Sequence, residues 1–175
     1  MNLEGRDCVV IGLPDDREAI EKTRALEEVG ANVRWIRDPG ALRDEDLDGA
    51  FFVISTPLDE GLSARLRGLA DRGHFLLCCI DQPAYGFVAM QAIAKAGPAR
   101  ITVSTGGVSP AVSKRWRIAI QRALDAKFAR FLDALRTRRN ANRTLPDSEA
   151  RKAAGREAAE GFDVQISVRY PDWFE

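Results

Sequence analysis

Long apolar runs are absent from this 175-residue chain. None approaches the roughly 18 residues that a membrane-spanning helix needs, and the first seven residues lack the basic-then-apolar order of a secretory signal. Internal repeats and low-complexity tracts are also missing. With 45% apolar and 30% charged residues, the composition is typical of a globular protein. We therefore expect a cytoplasmic location and no membrane partner.

Metal-ligating side chains are equally scarce. The chain has one histidine, His74, and three cysteines, Cys8, Cys78 and Cys79. The cysteines fall within apolar runs typical of strands, and their spacing matches neither a zinc template nor a disulfide framework. We predict buried thiols, a surface turn position for His74 and no resident metal.

Charge is balanced overall but unevenly distributed. Residues 1–113 carry 12 Lys and Arg against 17 Asp and Glu, whereas residues 114–156 carry 13 against 4. Such a surplus favours an anionic neighbour, which could be nucleic acid, a polycarboxylate ligand or an acidic protein surface. The aromatics of this segment, Trp116, Phe128 and Phe131, have a spacing typical of helix packing rather than base stacking, so we expect no nucleic acid.

Strand-like and helical patterns alternate in the first half of the chain. Apolar runs predict strands at 7–12, 32–36, 50–54 and 75–80, and helical periodicity predicts helices at 17–29 and around Leu62 to Leu69. This order predicts an α/β fold with a Rossmann-like, doubly wound parallel sheet. Ligands bind beyond the carboxyl ends of the strands in such sheets. Asp38, Ser55, Thr56 and Asp81 all lie at predicted strand ends.

The second half of the chain contains a predicted helix from Pro110 to about Thr137 with an apolar stripe. Before it, residues 87–95 and 100–104 flank the turn at 96–98 and predict a hairpin, although the first arm is also compatible with a helix. After it we predict a short helix at 147–159 and an alternating strand at 162–170, which make a small α/β appendage. A helix this long cannot bury its stripe on so small a domain, so we expect a homodimer.

The turn between the hairpin and the long helix is a candidate anion site. Ser104, Thr105, Gly106, Gly107 and Ser109 supply hydroxyls and unhindered backbone N–H groups. Pro110 suits the first turn of a helix, whose positive dipole end favours an anion. The alternative is an ordinary strand-to-helix connection in which Ser109 is the N-cap.

Several segments together resemble the precorrin-2 dehydrogenase family, which also forms the N-terminal domain of siroheme synthases. The segments are residues 3–12, 22–31 and 47–54, Asp81 with Pro83, and the turn at 104–110. The resemblance covers about residues 1–135. It implies NAD-dependent oxidation of precorrin-2 to sirohydrochlorin, with iron or cobalt insertion in some members, by a dimer with interlocking helices.

The resemblance assigns roles to individual residues. A carboxylate beside the cofactor crevice suits the proton loss that accompanies hydride transfer, so Asp81 is the predicted catalytic base. Gly12, Asp38, Ser55 and Thr56 are the predicted cofactor-binding residues, with Asp38 holding ribose hydroxyls. The alternatives are that Asp38 is the first residue of an Asp-Pro-Gly turn and that the adjacent Arg37 favours a 2′-phosphate. The turn at 104–109, with Lys114 and Arg115, is predicted to bind substrate carboxylates. We accordingly divide the chain into a dinucleotide-binding domain, 1–108, and a dimerisation and tetrapyrrole-binding region, 109–175.

One turn departs from the family pattern. Family members have a glycine-rich G-x-G-x-x-A turn after the first strand. In this chain Gly12 is followed by Leu-Pro-Asp-Asp-Arg-Glu-Ala, so the turn is longer and keeps only one glycine. Pro14 removes an N–H donor, and Asp15 and Asp16 bring negative charge to a helix end that should hold phosphate. Asp15 with Glu18 matches a capping box. The alternative hypothesis is therefore a non-redox relative, a chelatase or carrier, that binds tetrapyrrole without a dinucleotide.

Overall fold

The computed structural model describes residues 2–174. The chain divides into two compact units, one ending at Met90 and the other beginning at Gln91. The predicted boundary at residue 108 is a division by function and stays a prediction. The hairpin and the 104–109 turn lie in the second structural unit.

The first unit is a four-stranded parallel sheet with two helices. The strands are β1 (Asp7–Ile11), β2 (Asn32–Ile36), β3 (Phe52–Ser55) and β4 (Leu76–Cys79), and the helices are α1 (Arg17–Glu27) and α2 (Glu60–Gly73). The order in the sheet is β2-β1-β3-β4, with Val9 paired to Arg34 on one side and to Val53 on the other. The predicted Rossmann-like α/β fold is confirmed, with strand ends shifted by one or two residues.

Side chains of the strands alternate between two cores because successive residues point to opposite faces. Val9 and Val53 pack with Leu66 of α2, whereas Val10 and Ile54 pack on the other face with residues of α1. All of these strand residues are fully buried. The sheet is thus covered on both faces, which leaves its two ends as the accessible parts.

The second unit begins with the antiparallel hairpin β5 (Ala92–Ala96) and β6 (Ala99–Val103). It continues with the helices α3 (Pro110–Ala123), α4 (Ala126–Ala141) and α5 (Ser148–Ala158). The hairpin is fastened to α3 by Gln121, whose amide exchanges two hydrogen bonds of 2.9 Å with the Lys95 backbone. The predicted hairpin and the helix capped by Asp147 are confirmed.

Two predictions for this unit were wrong. The helix predicted from Pro110 to Thr137 is two helices, because Asp125 accepts a 2.7 Å hydrogen bond from the Phe128 N–H and starts a new helix. Residues 162–170 form no strand. Their alternating pattern is that of a strand, but within the described residues no edge pairs with it.

No helix within residues 2–174 combines the length and the apolarity needed to cross a membrane.

Candidate functional site

Five predicted site residues lie along one edge of the sheet in the first unit. Because all four strands are parallel, their carboxyl ends meet at this edge. Asp38 follows β2, Gly12 follows β1, Ser55 and Thr56 end β3, and Asp81 follows β4. The strand order reverses between β1 and β3, so Gly12 and Thr56 flank the topological switch point, the usual ligand crevice of such sheets.

The end of β3 is held at this crevice by hydrogen bonds. The Thr56 N–H donates to the Ile11 carbonyl at 3.0 Å, which ties β3 to β1. The Thr56 hydroxyl donates to the Asp16 carboxylate at the start of α1. Next to it, the Ser55 hydroxyl is fully buried and has no hydrogen-bond partner among the described residues. An unpaired buried hydroxyl is unfavourable, and it marks this strand end as unusual.

Gly12 is needed here for close packing. A Cβ at this position would come within 2.8 Å of the Ala19 Cβ and would overlap the Thr56 side chain. Its backbone groups are also engaged with β2: the N–H donates to the Ile36 carbonyl at 3.1 Å, and the carbonyl accepts from the Trp35 indole at 2.9 Å. The structure therefore gives Gly12 a packing role, and its role in cofactor binding stays a prediction.

The N-terminus of α1 is occupied by one of the chain's own carboxylates. Asp16 is the N-cap, and its side chain accepts a 2.9 Å hydrogen bond from the Glu18 N–H. The predicted capping box of Asp15 with Glu18 was wrong: Asp16 has the extended backbone that a cap requires and is the N-cap, so Glu18 lies at N2 and the N3 residue is Ala19. The negative charge of Asp16 lies where the helix dipole would attract a phosphate.

Asp38 combines the two roles weighed for it. One carboxylate oxygen accepts a 3.0 Å hydrogen bond from the Gly40 N–H, which starts the short turn of 3-10 helix Pro39–Ala41. The side chain remains exposed at the end of β2. Beside it, the Arg37 guanidinium lies 4.8 Å from the centre of the Trp35 ring. One carboxylate oxygen of Asp38 holds the turn, and the other is available to accept a hydrogen bond from a ribose hydroxyl.

Asp81 has a left-handed backbone with φ of 59°. This conformation is uncommon for a residue with a side chain, although aspartate adopts it more readily than most. The loop around it is held by Gln82, whose side chain accepts a 2.7 Å hydrogen bond from the buried Ser63 hydroxyl, and by the Ile80 N–H, which donates to the Ser55 carbonyl at 2.8 Å. The Asp81 side chain is exposed. A carboxylate in a held loop at this edge is well placed to accept a proton.

The three cysteines are free and buried, as predicted. Burial raises the pKa of all three thiols, since it disfavours the thiolate. They are therefore poor nucleophiles and poor metal ligands. Within residues 2–174, no cluster of histidines, cysteines and carboxylates is arranged to hold a metal ion. His74 is exposed and ends α2.

The turn at 104–109 is organised by its own hydroxyls. Ser109 caps α3 by accepting from the Val112 N–H at 3.3 Å, and Thr105 donates to the Ser109 carbonyl at 3.0 Å. Ser104 accepts from the Gly106 N–H at 3.1 Å. Gly107 has a φ of 83° and is exposed. Ser109 is thus the N-cap of α3, the exposed Gly107 backbone is the open part of the turn, and binding of an anion there stays a prediction.

The helix that follows this turn presents positive charge. Its first turn contains no acidic residue. Lys114, Arg115 and Arg122 line one groove of about 510 Å³ along α3. Because Ser109 is a neutral cap, α3 keeps an uncompensated positive end, in contrast to α1 with its Asp16 cap. Of the two candidate anion sites, the one at α3 is the more favourable.

The sequence analysis missed two interactions at the sheet edge. One is the contact of Asp16 with Thr56, and the other is the hydrogen bond of Ser63 with Gln82. Asp16 was detectable as the residue just before the first helical turn. Ser63 and Gln82 carry no local signal, because they are 19 residues apart and meet only when α2 packs on the sheet.

Comparison with known proteins agrees with this architecture. Residues 1–92, more than half of the chain, match the model of a family described as "Putative NAD(P)-binding". The chain belongs to this family. It is also similar to the siroheme synthases of Ectopseudomonas mendocina, with 27% identity, and Thioalkalivibrio sulfidiphilus, with 26% identity. These matches cover 91% and 92% of the chain but only 38% and 36% of those proteins.

A solved structure named SirC, precorrin-2 dehydrogenase, has a similar fold. It matches with a TM-score of 0.69 and 18% identity, over 93% of this chain and 87% of that one. At this identity the match concerns the fold. Together with the family model and the siroheme synthases, it confirms the family predicted from the sequence.

The carboxyl edge of the sheet is better suited to a ribose of a dinucleotide than to its pyrophosphate. The exposed Asp38 carboxylate at the end of β2 is chemically suited to ribose hydroxyls. The N-terminus of α1 suits a pyrophosphate poorly while Asp16 is its cap. A dinucleotide that binds here has to move this carboxylate or bind beside it.

Proposed function

We propose that this protein oxidises precorrin-2 to sirohydrochlorin with NAD as the hydride acceptor, in the biosynthesis of siroheme or cobalamin-type tetrapyrroles. Membership of the putative NAD(P)-binding family and the likeness to siroheme synthases support a nicotinamide dinucleotide as the cofactor. NAD is favoured over NADP because the exposed Asp38 carboxylate would repel a 2′-phosphate. The chain spans about 38% of the length of the siroheme synthases that it matches, so the proposal concerns this part of their activity.

The observation that carries the proposal is the placement of Asp81. It is an exposed carboxylate in a held, left-handed loop at the carboxyl edge of the sheet. Gly12, Asp38, Ser55 and Thr56 would hold a dinucleotide, and its nicotinamide would supply the hydride acceptor. Asp81 accepts the proton that the substrate loses at the same time, so charge and atoms balance. Metal insertion would use the same base, because pyrrole protons have to leave as the ion enters.

Substrate carboxylates are proposed to bind at the second unit. The open Gly107 backbone, the neutral cap of α3 and the cations Lys114 and Arg115 make this the more favourable of the two anion sites. Ser104, Thr105, Gly106 and Ser109 shape the turn.

We also propose a homodimer. A cavity of about 940 Å³ in the second unit is lined by apolar side chains that include Trp116, Ile120, Phe128 and Phe131. Phe162 is the aromatic residue that meets them, at 5.3 Å from the Phe131 ring centre. Apolar side chains of residues 162–174 remain largely exposed, with Trp173 82% exposed. A partner that covers this surface would remove it from water.

The occupied N-terminus of α1 favours a second candidate function. If the Asp16 carboxylate excludes the pyrophosphate, the chain is a non-redox relative that binds tetrapyrrole as a chelatase or carrier. Calorimetric titration separates the two functions. Saturable micromolar binding of NAD⁺ supports the dehydrogenase, whereas no binding at millimolar NAD⁺ favours the second candidate.

The role of Asp81 is tested by Asp81→Asn. Asparagine also tolerates a left-handed backbone, whereas Asp81→Ala would add about 1 kcal/mol of strain at a φ of 59°. We expect turnover of precorrin-2 to fall by about 10²-fold or more, with the melting temperature retained. Unchanged formation of sirohydrochlorin by Asp81→Asn would refute the assignment.

A further inference from the structure

We propose that the second unit contains a binding site for a small multivalent anion, separate from the groove along α3. The site is a cavity of about 520 Å³ formed by α4, the turn Asn142–Thr144 and α5. Its volume lies within the usual range of ligand pockets. Five cations line it: Arg138, Arg139, Arg143, Arg151 and Lys152.

These charges are poorly compensated by the protein itself. Lys152 pairs with Glu149 at 2.8 Å, but within residues 2–174 no carboxylate pairs with Arg138, Arg139 or Arg143. By contrast, Arg136 of the same helix α4 forms an ion pair with Asp133, with 2.6 Å between the guanidinium and the carboxylate. All five cationic side chains are exposed, so water screens their mutual repulsion, and an anion bound among them would be attracted to all of them.

Helix stability explains only part of the cluster. Arg138 and Arg139 lie in the last turn of α4, where cations interact favourably with the helix dipole. Arg151 is different, because it follows the start of α5 at Ser148 by three residues and lies near the positive end of that helix. Its guanidinium is held by a 2.9 Å hydrogen bond to the Leu145 carbonyl. An unfavourable charge held in place is typical of a binding group.

Gly155 leaves open space at the wall of the cavity. It lies inside α5 and lines the cavity, and a Cβ built on it would meet nothing within 4 Å. Glycine is less favourable than alanine in a helix interior. No contact within the protein explains this choice, whereas the space beside Gly155 is available to a ligand.

The chemistry of the lining selects the class of ligand. Guanidinium groups bind carboxylates and phosphates through paired hydrogen bonds, so a molecule with several such groups fits. None of the described residues that line the cavity is aromatic. Because single-stranded nucleic acid is usually bound with base stacking, a small polyanion is favoured over nucleic acid.

The test is a calorimetric titration of the full chain with two probes, tripolyphosphate and mellitate, a benzene ring with a carboxylate on every carbon. The cavity variant is Arg139→Glu with Arg143→Glu. Its control is Arg130→Glu with Arg156→Glu, which makes the same charge change on α4 and α5 outside the cavity lining. We expect saturable binding near one ligand per chain, weakened about tenfold or more in the cavity variant. The control should stay within about twofold.

A second variant removes space instead of charge. Gly155→Leu fills the cavity and favours the helix, so it should weaken binding while the melting temperature is kept or raised. The two probes distinguish a carboxylate ligand from a phosphate ligand, and saturable binding of either one in the cavity supports the site. The site does not rest on the proposed enzyme activity, and Asp81→Asn should leave it unchanged.

Three results would overturn the proposal. Equal losses in the cavity and control variants would mean that only the general field of the helices attracts anions. Unchanged affinity in Gly155→Leu would place the ligand elsewhere. Binding that fails to saturate with either probe, but tightens with the length of an oligonucleotide, would show a nucleic-acid surface instead.

Discussion

Replacing Asp16 by asparagine should tighten dinucleotide binding. In the structure, Asp16 accepts a 2.9 Å hydrogen bond from the Glu18 N–H, and the Thr56 hydroxyl donates to the same carboxylate. A phosphate at the N-terminus of α1 has to replace this carboxylate. Asparagine has nearly the same shape and remains a good N-cap, but it removes the negative charge.

The size of the effect follows from the two interactions that a phosphate must displace. A side-chain N-cap contributes about 1 kcal/mol. A hydrogen bond to a charged group contributes about 1.5–3 kcal/mol, and the lower value applies because Asp16 is only half-buried. With a neutral amide the second contribution falls to about 1 kcal/mol. Asparagine also removes the negative charge that repels the phosphate. Together, the two effects should make the free energy of dinucleotide binding about 1–2 kcal/mol more favourable, which is roughly tenfold tighter binding.

The assay is calorimetric titration of NAD⁺ and NADP⁺ into the wild type and both variants, Asp16→Asn and Asp15→Asn. Asp15→Asn is the matched control, because Asp15 is the exposed neighbour and makes the same charge change without capping the helix. We expect the free energy of unfolding of Asp16→Asn to stay within about 0.5 kcal/mol of the wild type. Equal tightening in both variants would refute occupation of the helix end, and weaker binding in Asp16→Asn would mean that Asp16 helps to bind the cofactor.

Three further predictions concern the rest of the chain. Gly107→Val should weaken tetrapyrrole binding strongly and leave NAD⁺ binding unchanged in titrations of both ligands. Gly161→Val, at another open glycine with φ of 78°, controls for backbone strain. Loss of NAD⁺ binding with tetrapyrrole binding unchanged would mean that the two anion sites are exchanged. Light scattering should give a dimer at micromolar concentration, and a stable monomer would contradict burial of Trp116 and Phe131 between copies. Because burial raises the pKa of the Cys78 thiol, Cys78 should react with a thiol reagent far more slowly in the native than in the unfolded protein. Equal labelling rates would show that the thiol is accessible. The free energy of unfolding should also fall as the pH rises past about 9, where only the unfolded thiols ionise.

Local patterns in the sequence determined the architecture of the first unit. Buried strands such as Cys8 to Ile11 are continuous apolar runs, and α1 and α2 repeat apolar residues at helical spacing. These signals come from residues close together in the chain, so they can be read without a structure. The parallel order then places the strand ends at one edge, which makes Asp38 and Asp81 candidate site residues from the sequence alone.

Two predictions for the second unit were wrong because the local pattern of apolar residues was outweighed by other interactions. The apolar stripe of α3 and α4 runs through Leu124 and Asp125 without a break, yet the Asp125 carboxylate bonds to the Phe128 N–H and ends the continuous helix. Residues 162–170 alternate as a strand does, but a strand also needs a partner with free backbone groups. Local periodicity records neither a side-chain cap that interrupts a helix nor the presence of a partner edge.

Only the tertiary structure decided the condition of the candidate site. The Asp16 carboxylate that caps α1 also accepts a hydrogen bond from Thr56, which lies 40 residues away, and the loop of Asp81 is held by Ser63 of α2. The cluster of arginines around Gly155 likewise forms only when α5 packs on α4. The sequence by itself therefore determined the sheet, its ligand-binding edge and the surplus of positive charge. Contacts between distant residues decided how the strand-end loops are held and which cations lie around one cavity, because hydrogen bonds and charges act through space and not along the chain.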